Sequence, residues 1–264
     1  MAKLKSPPAS VTSPDAELES GQDTLLGHLN ELRIRLTYIA VALLVTTAFS
    51  FIFAEPMLQF LLGPYAKSIG GVVELQTLEP TEGIETFFKM SLLSGAFLSM
   101  PIILYQFWQF VVPGLTSSER RYIYIFLPSA LLLFALGILF AWFVLIPAAV
   151  YFLANFLGTI FKTDWTPSGY IGFVLRMLFW IGIAFEMPVI VYFIARVGVV
   201  TAQSLREQWR FAIVGIAVLA AIITPSIDPV TMLLTMAPLL VLYVLSIGLA
   251  IVGQRQFERS VAIE

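Results

Sequence analysis

Three glutamates sit in surroundings that would let them do chemistry. Glu31 lies in HLNELRIR, with Arg35 one helical turn later and Arg33 on another face; Glu119 lies in SSERR beside Arg120 and Arg121; Glu186 lies in AFEMPVI, within an apolar run. A carboxylate accepts forked, charge-assisted hydrogen bonds from a guanidinium that an ammonium cannot reproduce, so Glu31 and Glu119 are suited to a guanidinium-bearing ligand. Spacing alone offers a plainer reading, an i,i+4 ion pair at Glu31 and a solvated turn at Glu119. An acid such as Glu186 in hydrocarbon is costly and must be protonated, hydrogen-bonded or turned to a cavity. It reads either as interhelical glue or as part of a pathway or partner contact.

The elements that must position these acids are membrane spans. Of 264 residues 59% are hydrophobic and only 12% charged, against about a quarter charged in soluble domains. A formal charge of −2 with no run of about five or more like charges argues against nucleic-acid binding. There is no cysteine and the one histidine is His28, so no disulfide, thiolate site or His-based metal centre is expected, and no cofactor. His28 reads as a surface contact. With no HExxH, G-x-S-x-G or phosphate-cradling loop, the sequence offers no support for an enzyme.

The expected fold is all-α and polytopic, with six transmembrane helices at about 36–53, 84–112, 122–146, 170–195, 211–223 and 230–252. Residues Met1 to Ser20 are polar and Pro/Ser-rich and read as a disordered tail, leaving 21–264 as one membrane domain. Leucines at three- and four-residue spacing from Leu25 to Leu36 predict an amphipathic helix with Asp23 as N-cap. A short apolar piece, Met57 to Leu62, is expected to stop at Gly63-Pro64. Glu82 and Glu85 suit the start of the second span, with Glu85 able to pair with Lys89. The 13-residue fifth span is too short for an unperturbed bilayer, which implies local thinning or a water-filled recess. Asp228 with Pro229 reads as the cap of the sixth.

Pro101, Pro128, Pro147, Pro188 and Pro238 should bend their spans and, beside the short hairpin, favour a concave wall. Of the 15 lysines and arginines, only Lys67, Lys89, Lys162 and Arg176 fall on the outer side, so both termini are expected in the cytoplasm. Arg176, near the outer face, should snorkel outward.

The segments HLNELRIR (28–35), PIILYQFWQFVVPGL with SSERR (101–121), FEMPV (185–189) and TPSIDP (224–229) together make the chain resemble the TatC family, the receptor core of the twin-arginine protein translocase. The resemblance runs from His28 to the end of the sixth span. It implies a six-span, N-in and C-in, glove-like receptor in the inner (plasma) membrane or an equivalent energy-transducing membrane. Such a receptor binds twin-arginine signal peptides and gathers single-span TatA and TatB-type partners into a multimeric complex that exports folded proteins on the proton-motive force. By the same resemblance Glu31 and Glu119 grip the arginines, with Arg33, Phe110 and Arg121 on the same patch, and Glu186 meets a partner helix. Pro64 and Asp228 match further family positions. The competing class is a secondary transporter or proton-coupled carrier using Glu186.

Overall fold

The computed structural model describes residues 14–70, 75–111, 123–156, 165–224 and 228–261, and every element among them is helical. The helices are α1 (Pro14–Leu61), α2 (Gly63–Ile69), α3 (Glu82–Val111), α4 (Ile123–Phe140), α5 (Ile146–Asn155), α6 (Pro167–Ala184), α7 (Met187–Arg196), α8 (Ala202–Glu207), α9 (Trp209–Ile223) and α10 (Pro229–Val261), with a π-helical segment, Ala141–Leu145, joining α4 to α5. Five helical stretches are long and apolar enough to cross a membrane, and α9 is a shorter sixth. The protein is an all-α polytopic membrane protein.

Several elements differ from the sequence expectation. α1 is one 48-residue helix, so Asp23 is interior rather than an N-cap. The helix starts at Pro14, inside the tail expected to be disordered; proline is tolerated there because a first-turn N–H has no intrahelical acceptor to lose. It continues through Pro56 and absorbs the apolar piece expected to stand apart. α1 ends at Leu61, just before Gly63-Pro64 as expected, and Pro64 then sits in the first turn of α2, for the same reason. Pro101, Pro128 and Pro238 sit inside unbroken helices.

Two prolines do reshape their spans. Before Pro147 the ladder slips to π register, with the Ile146 N–H donating to Ala141 O, and the third span then runs on to Asn155. Pro188 cannot donate to Ala184 O, and there α6 ends; a two-residue turn at Phe185 and Glu186 leads into α7.

The bundle packs around α6. Ile171, Val174, Met177 and Ile181 form the middle of the larger core with Leu145, Ile146 and Ile223. A second cluster lies toward the C-terminal end of α3, where Trp108 stacks on Phe126 at 5.2 Å and meets Phe193 edge-on at 5.0 Å. By contrast α1 rests almost wholly on α3. Its outer face, with Leu44 71% and Ile52 72% exposed, is left for lipid. At this seam Thr46 Oγ1 donates to Gly95 O at 2.8 Å, and a Cβ at Gly95 would fall 2.5 Å from Thr47 Oγ1, so only glycine permits the approach.

At 15 residues α9 spans about 22 Å against about 30 Å of hydrocarbon. The short apolar helix expected in this part of the chain is therefore present.

Candidate functional site

At one end of the bundle the start of the apolar part of α1 meets the last turns of α3. Glu31 Oε1 accepts from Arg35 Nε at 3.1 Å and also from Arg35 Nη2, realising the i,i+4 pair that the spacing suggests. Arg35 Nη1 donates to Gln106 Oε1 at 3.3 Å, tying the pair to α3. His28 stacks on Phe110 with centroids 4.4 Å apart and lies 3.9 Å from Glu31 Oε2 through Nδ1. Both bonds from Arg35 fall on Oε1, so the second carboxylate oxygen keeps acceptor capacity. The carboxylate is 30% exposed. Arg33 points into solvent-accessible space on the same stretch of α1.

This corner thus holds three of the residues singled out from the sequence, Glu31, Arg33 and Phe110, within two adjoining helix ends. Glu119 and Arg121 lie outside the described residues. Gln106 escapes a reading of the sequence: an amide seventy-one positions from Arg35 carries no local signal, and only the α1–α3 crossing brings it into play.

Glu186 is far from this corner in kind. It occupies the turn between α6 and α7 and is 4% exposed. Its backbone is fully used, with the carbonyl accepting from Val189 and Ile190 N–H at 3.1 Å each. Its side-chain Oε1 is buried without a hydrogen-bond partner among the described residues. The helix break explains the position: Pro188 ends α6 and sets Glu186 immediately before α7.

Pro64 is buried at the start of α2. Asp228 caps α10, accepting from Thr231 N at 2.7 Å through Oδ1 and from the Thr231 hydroxyl through Oδ2, with Pro229 as first helical residue. Among the described residues no three His, Asp or Glu side chains gather as a metal site requires. One carboxylate not singled out for a site is Glu82, 5% exposed, which accepts from Ser168 Oγ at 2.6 Å, Ser168 N at 3.1 Å and Leu78 N at 3.0 Å. Its place at the start of α3 is legible in the sequence, but its partner on α6 is not.

Comparison with known proteins assigns the scaffold that holds these groups. A family model described as Sec-independent protein translocase protein (TatC) matches residues 27–238. Sec-independent protein translocase protein TatC of Aquifex aeolicus is 39% identical over 234 residues, covering 88% of this chain and 96% of that one. The protein of the same name from Synechocystis is 38% identical over 244 residues, covering 91% and 94%. A crystal structure described as the twin arginine translocase receptor TatC superposes with a TM-score of 0.79 at 39% identity, over 86% of this chain and 99% of that one. The chain belongs to the TatC family of Sec-independent protein translocase proteins, a non-enzymatic transport family.

Proposed function

We propose that this translocase component is the receptor that binds twin-arginine signal peptides, at the corner where α1 meets the end of α3. The observation that carries the reading is Glu31 holding a guanidinium, that of Arg35, while one carboxylate oxygen stays open beside His28. An incoming arginine can use that oxygen or displace Arg35 onto Gln106. Glu119 supplies the second carboxylate, with Arg33, Phe110 and Arg121 around the pair. At the headgroup layer these acids stay partly hydrated, so pairing avoids the desolvation cost of a buried ion pair. The apolar part of the signal lies in the lipid phase against the exposed face of α1 that begins beside Arg33 and includes Leu32, Leu36, Ala40 and Leu44.

In this reading the six spans form one unit with both termini cytoplasmic, in the inner membrane or an equivalent energy-transducing membrane. The orphaned Oε1 of Glu186 receives a polar residue of a single-span TatA or TatB-type partner, and the multimeric assembly exports folded cargo on the proton-motive force.

The test is crosslinking of a twin-arginine peptide to membranes carrying Glu31→Ala, Glu119→Ala or both. A charge-assisted hydrogen bond contributes about 1.5–3 kcal/mol, so each single substitution should weaken capture about tenfold or more, with insertion unchanged. Wild-type crosslinking by the double variant would refute the assignment.

A further inference from the structure

Arg176 is a cation within a membrane-spanning helix that the cargo and partner sites leave without a task. It lies nine residues into α6, about 14 Å along the axis from Pro167. It is exposed instead of packed into the bundle, and it forms no ion pair with any described residue. Its Nε donates to Gly172 O at 3.1 Å, one turn nearer the start of α6. The side chain therefore runs back toward the start of α6, and so toward the nearer membrane surface. Both Nη groups are left without an acceptor among the described residues.

Among the described residues, little covers the surface on that side. A Cβ added at Gly172 would meet no atom within 4 Å, and one at Gly169 would meet only Thr166 Oγ1, at 3.0 Å. The carboxylate of Glu82, which meets the first turn of α6, is already bonded to Ser168 and Leu78. An arginine left unpaired at the bilayer centre costs about 2.5 kcal/mol or more, and the cost falls toward the interface, so a guanidinium turned outward is best matched by an anion at the headgroup boundary. The bilayer supplies one at this depth.

We propose that Arg176, with the notch over Gly172 and Gly169, binds the phosphate of a phospholipid in the leaflet that surrounds the start of α6. The guanidinium donates both Nη groups to the phosphate oxygens, the fork geometry that arginine and phosphate share. The glycerol backbone fills the glycine notch, and an acyl chain lies over Phe179, Trp180 and Ile183, which are all part-exposed. A carboxylate on a partner helix would satisfy the same donors. The direction of the side chain, toward the headgroups instead of the bundle middle, favours the lipid.

The experiment is native mass spectrometry of the full chain released from nanodiscs of phosphatidylglycerol and phosphatidylethanolamine, after matched delipidation. Wild-type protein should keep a bound phospholipid. Arg176→Gln should retain about tenfold less, the loss of one bidentate contact, and Arg176→Lys should be intermediate. Gly172→Leu fills the notch while leaving the arginine and should release the lipid as well. Because residue 176 is exposed, Arg176→Gln should keep the wild-type melting temperature, and its result decides the matter by itself. Unchanged lipid retention in Arg176→Gln would overturn the proposal, as would unchanged retention accompanied by loss of a copurifying single-span protein.

Discussion

Two glutamates in this bundle are almost equally hidden and almost opposite in circumstance. Glu82 and Glu186 are 5% and 4% exposed. Glu82, at the start of α3, is saturated by Ser168 and Leu78 and binds the first turns of α3 to those of α6. Glu186, at the break between α6 and α7, has a carboxylate oxygen with nothing to accept from among the described residues. A buried acceptor with its donors in place is a clamp, and a buried acceptor without them is open to a donor from elsewhere. Burial and residue type do not distinguish the two; the count of donors does.

The largest expected effect comes from removing the clamp. Glu82→Ala strands the Ser168 N–H and hydroxyl and the Leu78 N–H together, and should lower the detergent melting temperature more than Gly95→Val or Glu186→Gln. The neighbouring contacts cannot make up the loss, although Tyr170 OH still donates to Leu61 O at 2.7 Å and stacks near Trp165 and Tyr65. A variant as stable as wild type would mean that Glu82 is no clamp.

Next in size is the α1–α3 seam, which positions Arg35, the partner of Glu31, against Gln106 and His28 against Phe110. Gly95→Val forces the helices apart at Thr47 and should cost about 2 kcal/mol, seen in thermal unfolding, together with weaker capture of signal peptide. Loss of stability with undiminished capture would separate the site from the seam.

The smallest effect on stability should be at Glu186. Glu186→Gln removes no protein hydrogen bond from Oε1 and should leave the melting temperature within the range of about 0.5 kcal/mol, yet reduce copurification of single-span partners. A collapse in stability as large as that of Glu82→Ala would erase the contrast between the two glutamates.

What is legible in the chain is what lies close together along it. The Asp228 cap with Pro229, the Glu85–Lys89 pair at 2.5 Å, the i,i+4 pair of Glu31 with Arg35 and the short fifth span all follow from neighbours within one or two turns. The Glu82–Ser168 contact joins positions 86 apart, and no local pattern could name its partner. The same holds for Gln106. From sequence every proline in a span reads as a bend, whereas only Pro147 and Pro188 visibly change their helices. The cost of a missing N–H depends on whether the ladder around it can slip or end nearby, which is a property of the packing and not of the proline.

The central claim is that fixed carboxylates at the α1–α3 corner recognise a guanidinium pair by its fork geometry. The direct measurement places a photo-crosslinking phenylalanine analogue at Phe110, whose ring stacks on His28 beside Glu31, and compares a signal peptide bearing two arginines with one bearing two lysines. Adduct formation should be at least about tenfold greater for the arginine peptide, because an ammonium cannot make the paired hydrogen bonds. Equal adducts from both peptides would contradict the account.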